Sequence, residues 1–253
     1  MLGQRVHAIS QWGEPFCQSW RWIPTAILIG TVPLFCFLPL GVPGQQTVSA
    51  ISLALMTVTF LRQDRWLSGV AFIGLTFLAH CIAAISIAYL APQAASATMP
   101  GSQDYWHKQE QWIESGQDPE YELSNWVPSH LQLAGYSSLL TATSFGGLTF
   151  TEGFYQVDLM NYYNGRLMAR STDQTVSLAH GWHLWSILRG LGFLFLTFEI
   201  ASLSFAGVTQ TAVSTWWKRA LRWTLGVAFL LGDGMVKFLM LGYVRERLFE
   251  NLL

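Results

Sequence analysis

The sequence predicts an all-α fold, a polytopic transmembrane helix bundle of about six spans with a folded acidic-aromatic extracytoplasmic loop. Three observations carry this prediction. Hydrophobic residues make up 51% of the 253-residue chain and charged residues only 11%, where soluble domains carry about 25% charged residues, and mean hydropathy is +0.33. Twelve Trp, eight Tyr and sixteen Phe supply the amphipathic rings that collect at lipid headgroups. Apolar runs alternate with short breaker clusters, as expected of helices that cross a hydrocarbon layer of about 30 Å at about 1.5 Å per residue.

Other classes fall away on the same numbers. Fourteen Lys+Arg against fifteen Asp+Glu give a net charge of −1, so there is no basic field for a nucleic-acid backbone, and nucleic acid is not expected as a partner. The three cysteines, Cys17, Cys36 and Cys81, are odd in number and far apart, which argues against a disulfide framework or a zinc knuckle.

Residues 1–22 read as an N-terminal amphipathic or interfacial segment, because Leu2, Val6, Ile9, Phe16 and Trp20 recur at helical spacing. Residues 23–91 form a three-helix membrane unit. Its first span runs from Ile23 to Leu40 and is closed by Pro39 and the turn Gly41-Val42-Pro43-Gly44, a strong breaker. The second, Thr47 to Leu61, is short for a bilayer unless Gln45 and Gln46 reach the headgroups. After the charged turn Arg62-Gln63-Asp64-Arg65, the third run, Trp66 to Ala91, is long enough to cross with tilt.

Residues 92–130 change character. Asp104, Glu110, Glu114, Asp118, Glu120 and Glu122 stand against the single Lys108, interleaved with Tyr105, Trp106, Trp112, Tyr121 and Trp126. That mixture predicts a folded or membrane-apposed loop, helical over 104–115 and turning at Ser115-Gly116-Gln117-Asp118-Pro119. Residues 131–253 form a second three-helix membrane unit with a cytoplasmic loop and a charged tail. Its spans are expected at Leu131–Phe150, rich in the small residues that let helices approach, at His183–Gly207 and at Trp223–Tyr243. Lys/Arg placement near short loops favours both termini in the cytoplasm, with Arg166, Arg170, Arg245 and Arg247 inside and the 92–130 loop outside.

Four ionisable residues fall inside the last two spans, where an unpaired charge is expensive. Asp233 and Lys237 are four apart, on one helix face and about 6 Å apart along the axis. Arg189 lies about 9 Å to the cytoplasmic side of the midplane and Glu199 about 6 Å to the outer side. The set sums to zero charge and reads either as an ion or proton relay or as a polar network that fixes helix register. His180 and His183, three apart, together with His80, are the candidates for a haem or a metal, although no HExxH or paired mid-span histidines accompany them. Phe154, Asp158 and Tyr162 follow a helical period in the loop after span four and are candidates for docking a partner.

No P-loop, GxGxxG or GxSxG pattern occurs. The leading expectation is therefore a non-catalytic component of a larger membrane complex, in contact with the bilayer and with other membrane subunits or further copies of itself. One alternative is a proton- or ion-coupled secondary transporter using Glu199 and Asp233. The other is a membrane oxidoreductase subunit with a His-ligated haem or metal.

Overall fold

The computed structural model describes residues 20–116, 123–210 and 215–252, with the side chains of 123–125 excepted. The amphipathic segment expected over 1–22 lies almost wholly outside these residues, as does most of the turn expected at 115–119. Ten α-helices and no strand occur among the described residues: α1 Trp22–Phe37, α2 Gln45–Arg62, α3 Trp66–Leu90, α4 Pro92–Thr98, α5 Ser102–Ser115, α6 Leu123–Ser144, α7 Gly147–Arg170, α8 Gln174–Gly181, α9 Leu184–Thr209 and α10 Trp216–Leu252.

Four of these are long and apolar enough to cross a membrane: α1 with the short 3-10 turn that continues it to Leu40, then α3, α9 and α10. Their outward faces are apolar, with Leu28 and Phe35 on α1, Leu78 and Ile82 on α3, and Met235 and Leu239 on α10 all exposed. Contiguous apolar surface of this kind belongs against lipid. The chain is thus an all-helical bundle of the integral membrane type. Helix α2 is less apolar because its first turn carries Gln45 and Gln46 and its last residue is Arg62.

The expected fourth span, Leu131–Phe150, is two helices. Phe145 and Gly146 both take positive φ, 52° and 94°, and the chain folds back on itself there. The Oγ1 atoms of Thr141 and Thr149 lie 2.7 Å apart, and the Thr149 hydroxyl reaches the Ser137 carbonyl at 3.1 Å. Helix α7 therefore replaces the cytoplasmic loop expected after span four and becomes the centre of the bundle, packed by α2, α3, α4, α5, α6 and α8. The period of Phe154, Asp158 and Tyr162 is real, but its face points inward: these residues are 0%, 1% and 3% exposed. As candidates for docking an outside partner they are corrected to core positions.

Helix α1 contains Pro33, which has no N–H to give to the carbonyl four residues back. That carbonyl, on Ile29, accepts the Ser49 hydroxyl of α2 at 3.0 Å. Helices α9 and α10 form an antiparallel hairpin that packs on α6 and, through α9, on α2 and α3.

Helix α5 buries Trp106, Trp112 and Ile113 on one face and lies against α7 and α10. Arg170, at the end of α7, pairs with Glu110, and Arg245 of α10 donates to the Trp112 and Glu114 carbonyls at 3.3 and 2.8 Å. Asn251 ties the last turn of α10 to Thr172, Asp173 and Ser177. Helix α5, the turn before α8 and the C-terminal turns of α10 thus share one end of the bundle. The expectation that put the 92–130 segment on the opposite side from Arg170 and Arg245 is corrected by these contacts.

Candidate functional site

Three buried charge clusters lie among the described residues. The first joins α1, α2, α3 and α7. His80, fully buried in the middle of α3, places Nδ1 2.9 Å from the Gly30 carbonyl and Nε2 2.6 Å from Asp158 Oδ1. Asp158 Oδ2 accepts from Gln46 Nε2 at 2.6 Å and from Gln45 Nε2 at 3.3 Å, and Gln45 also donates to the Thr98 carbonyl at 2.7 Å. Phe154, one turn before Asp158, meets the imidazole edge-on at 4.9 Å. A carbonyl only accepts, so Nδ1 carries a hydrogen. The short Nε2–Oδ1 contact then holds a second proton, on either the imidazole or the carboxyl, and the pair is neutral overall.

The second cluster joins α6, α9 and α10. Asp233 accepts from Arg189 Nε at 2.8 Å and from the same guanidinium through a second nitrogen at 3.4 Å. His130 Nε2 lies 3.0 Å from Asp233 Oδ2, while its Nδ1 faces the Trp126 carbonyl at 2.8 Å. The arrangement of the first cluster recurs here, with a carbonyl fixing one imidazole nitrogen and a carboxylate facing the other. Trp126 stacks on His130 with ring centroids 4.2 Å apart. Gly234 makes this stacking possible, because a Cβ there would sit 2.7 Å from the Trp126 ring. Lys237 is buried one turn further along α10.

The third cluster lies at the end of the bundle made by the α2–α3 turn. Glu199 accepts from Arg219 at 2.8 Å and from Arg222 at 2.7 Å. Arg222, 1% exposed, also approaches Asp64 at 3.7 Å and covers the Trp66 ring at 5.3 Å. Lys218 reaches Asp64 at 3.2 Å. Eleven residues of α10 separate Arg222 from Asp233, about 16 Å at the helical rise.

The structure thus brings together Arg189 and Asp233 of the four charges singled out in sequence. Glu199 is elsewhere, ten residues or about 15 Å along α9 from Arg189, in an interfacial cluster with arginines expected in a loop. Sequence reasoning missed His130, assigned to the loop before span four, and the partnership of Asp158 with His80. The i, i+4, i+8 spacing of Phe154, Asp158 and Tyr162 was the available signal, because a helical stripe ending in an aromatic on both sides of a carboxylate also describes a buried face.

The three histidines proposed for a haem or metal are not gathered into one site. His80 is committed to Gly30 and Asp158. His180 lies at the end of α8 against the Tyr243 ring at 5.7 Å, and the non-helical backbone at Trp182 and His183 separates α8 from α9, so His180 and His183 do not share a helix face. His183 stacks on Trp185 at 4.3 Å. Burial, followed by the charges of Lys237, Arg189 and His180, holds its pKa down at about 3, so it is neutral at ordinary pH. Among the described residues no group of three or more His, Cys, Asp or Glu is arranged to hold a metal ion. No protein-family model matches the chain, and comparison with curated proteins and with solved structures gives no match.

Proposed function

We propose that this multi-pass membrane protein is a non-catalytic component of a larger membrane assembly. The observation that carries the proposal is the pairing of its three buried carboxylates. Asp158, Asp233 and Glu199 are each held by at least two side chains of the same protein. Carboxylates held this way fix the register of the helices they join. The outer face of α6 supports the assembly half of the reading. Gln132, Gly135 and Tyr136 are exposed there, within one or two turns of His130 and so near the depth of Asp233. An amide and a phenol facing acyl chains at that depth gain by meeting another helix. Purification from native membranes in mild detergent, followed by native electrophoresis and crosslinking, tests the proposal. Co-purifying membrane subunits or a homo-oligomer are expected, and a monomer alone overturns it.

A second reading, a proton- or ion-coupled secondary transporter, is favoured by one specific feature. In both His–Asp pairs the imidazole Nδ1 is occupied by a carbonyl, which leaves a single exchangeable proton between Nε2 and the carboxyl group. This version of the relay uses His80–Asp158 and His130–Asp233, with Glu199 outside it. Proton flux into proteoliposomes that is abolished in Asp158→Asn and Asp233→Asn, at unchanged protein levels, would support it. Absence of flux through the wild-type protein would overturn it.

A further inference from the structure

The two ends of the bundle differ in charge and in aromatic surface. The end formed by the start of α1, the α2–α3 turn and the start of α10 carries Arg21, Arg62, Arg65, Lys218, Arg219 and Arg222 against Asp64 and Glu199. Among the described residues that is a net charge of +4. The opposite end, formed by α5, the turn before α8 and the last turns of α7 and α10, carries Lys108, Arg166, Arg170, Arg245 and Arg247 against Asp104, Glu110, Glu114, Asp173, Glu246 and Glu250, a net charge of −1. At the basic end Trp20, Trp216 and Trp217 are 73%, 80% and 54% exposed, and the Lys218 ammonium lies 6.0 Å from the Trp217 ring.

We infer that the basic end is a binding surface for the headgroups of anionic phospholipids, and that it faces the cytoplasm. The chemistry of the surface fits a lipid phosphodiester. Guanidinium groups hydrogen-bond phosphate oxygens, and indole rings settle at the level where headgroup meets acyl chain. The exposed tryptophans distinguish this surface from a site for free phosphate, which offers them nothing. The cytoplasmic leaflet supplies the anionic lipid that a surface of net positive charge attracts. The C-terminal turn of α10 then lies on the other side of the bilayer, together with α5 and α8. This replaces the arrangement with both termini inside, which rested on a sequence reading that separated α5 from Arg170 and Arg245.

The test uses the purified full-length protein in mixed micelles, with thermal midpoint as the readout. Phosphatidylglycerol is expected to raise the midpoint by several degrees more than phosphatidylcholine. The difference should vanish near 1 M NaCl, where screening acts within about 3 Å. Combined Arg62→Gln and Lys218→Gln should lose most of the difference, whereas Lys108→Gln with Arg247→Gln at the other end should keep it. Equal midpoints in the two lipids overturn the inference, and so does a shift reproduced by inorganic phosphate alone. Should the first variant fail to fold, the salt titration of the wild-type protein decides the matter alone. For the orientation, a C-terminal tag is expected to be cleaved by protease added from the extracytoplasmic side of sealed membranes. Cleavage only from the cytoplasmic side refutes it.

Discussion

Replacing His80 with Leu isolates what the first cluster contributes. The substitution removes the partner of Asp158 Oδ1 and leaves a carboxylate that is 1% exposed with only the two glutamine amides. Breaking a buried pair from one side costs about 3–5 kcal/mol. The Gly30 carbonyl also loses its contact, but it remains in a helix and adds little. At about 2–4 °C per kcal/mol for a chain of this size, the thermal midpoint should fall by roughly 10 °C. Asp158→Asn should be milder, because an amide can donate to His80 Nε2 and still accept from Gln46. About 1–2 kcal/mol is expected there, the scale of exchanging one buried hydrogen bond for another. The double variant His80→Leu with Asp158→Asn should recover part of the loss seen in His80→Leu, because it removes the stranded charge. The assay is tryptophan fluorescence of the detergent-purified protein on heating, with accumulation in membranes as a second readout. A wild-type midpoint for His80→Leu, or a double variant less stable than the sum of the two single losses, would refute the reasoning.

Other consequences follow from the same geometry. Gly234→Ala places a methyl group against the Trp126 ring and should push that ring off His130, at about 1–3 kcal/mol, measurable as a lower midpoint with a changed near-ultraviolet dichroism. Glu199→Gln removes the nearer of the two carboxylates that face the buried Arg222, the other being Asp64 at 3.7 Å, so about 3 kcal/mol should be lost and less protein should accumulate. His183 predicts a pH dependence. Its folded pKa of about 3 lies below the ordinary value near 6.5, so the unfolded chain binds the extra proton. The stability concerned is complete above pH 6.5 and declines as pH falls toward 3, by at most about 1.4 kcal/mol per pH unit. Midpoints recorded between pH 7 and pH 4 should therefore fall, and His183→Phe should flatten the slope.

The long apolar helices were legible because burial in lipid needs only length and hydropathy, which the runs at Ile23–Leu40 and Trp66–Ala91 display directly. The α6–α7 turn was not. Its run, Leu131–Phe150, is apolar and rich in small residues throughout, and the Gly146-Gly147 pair serves close helix packing as readily as it serves a reversal. Helix α7 was hidden by its polarity, since Asp158, Asn161 and Asn164 look like loop residues until their burial among neighbouring helices is known. Arg189 and Asp233 could be picked out because a charge within an apolar run is visible by itself. His130 and the Arg219–Arg222 pair could not, because each becomes informative only through a partner 20 or more residues away, and sequence periodicity has no access to such distances. The side of the bundle on which α5 lies is a further case, decided by Arg170 and Arg245 and by nothing local to α5.

The proline in α1 has a consequence for how the protein is made. A helix entering the bilayer by itself exposes the Ile29 carbonyl that Pro33 cannot satisfy, and lipid has nothing to offer it. The missing donor arrives 20 residues later, as the Ser49 hydroxyl of α2. The first helix is therefore completed only when the second is beside it. Synthesis has to deliver the two as a hairpin, and the tight Gly41–Gly44 turn keeps the interval between them short.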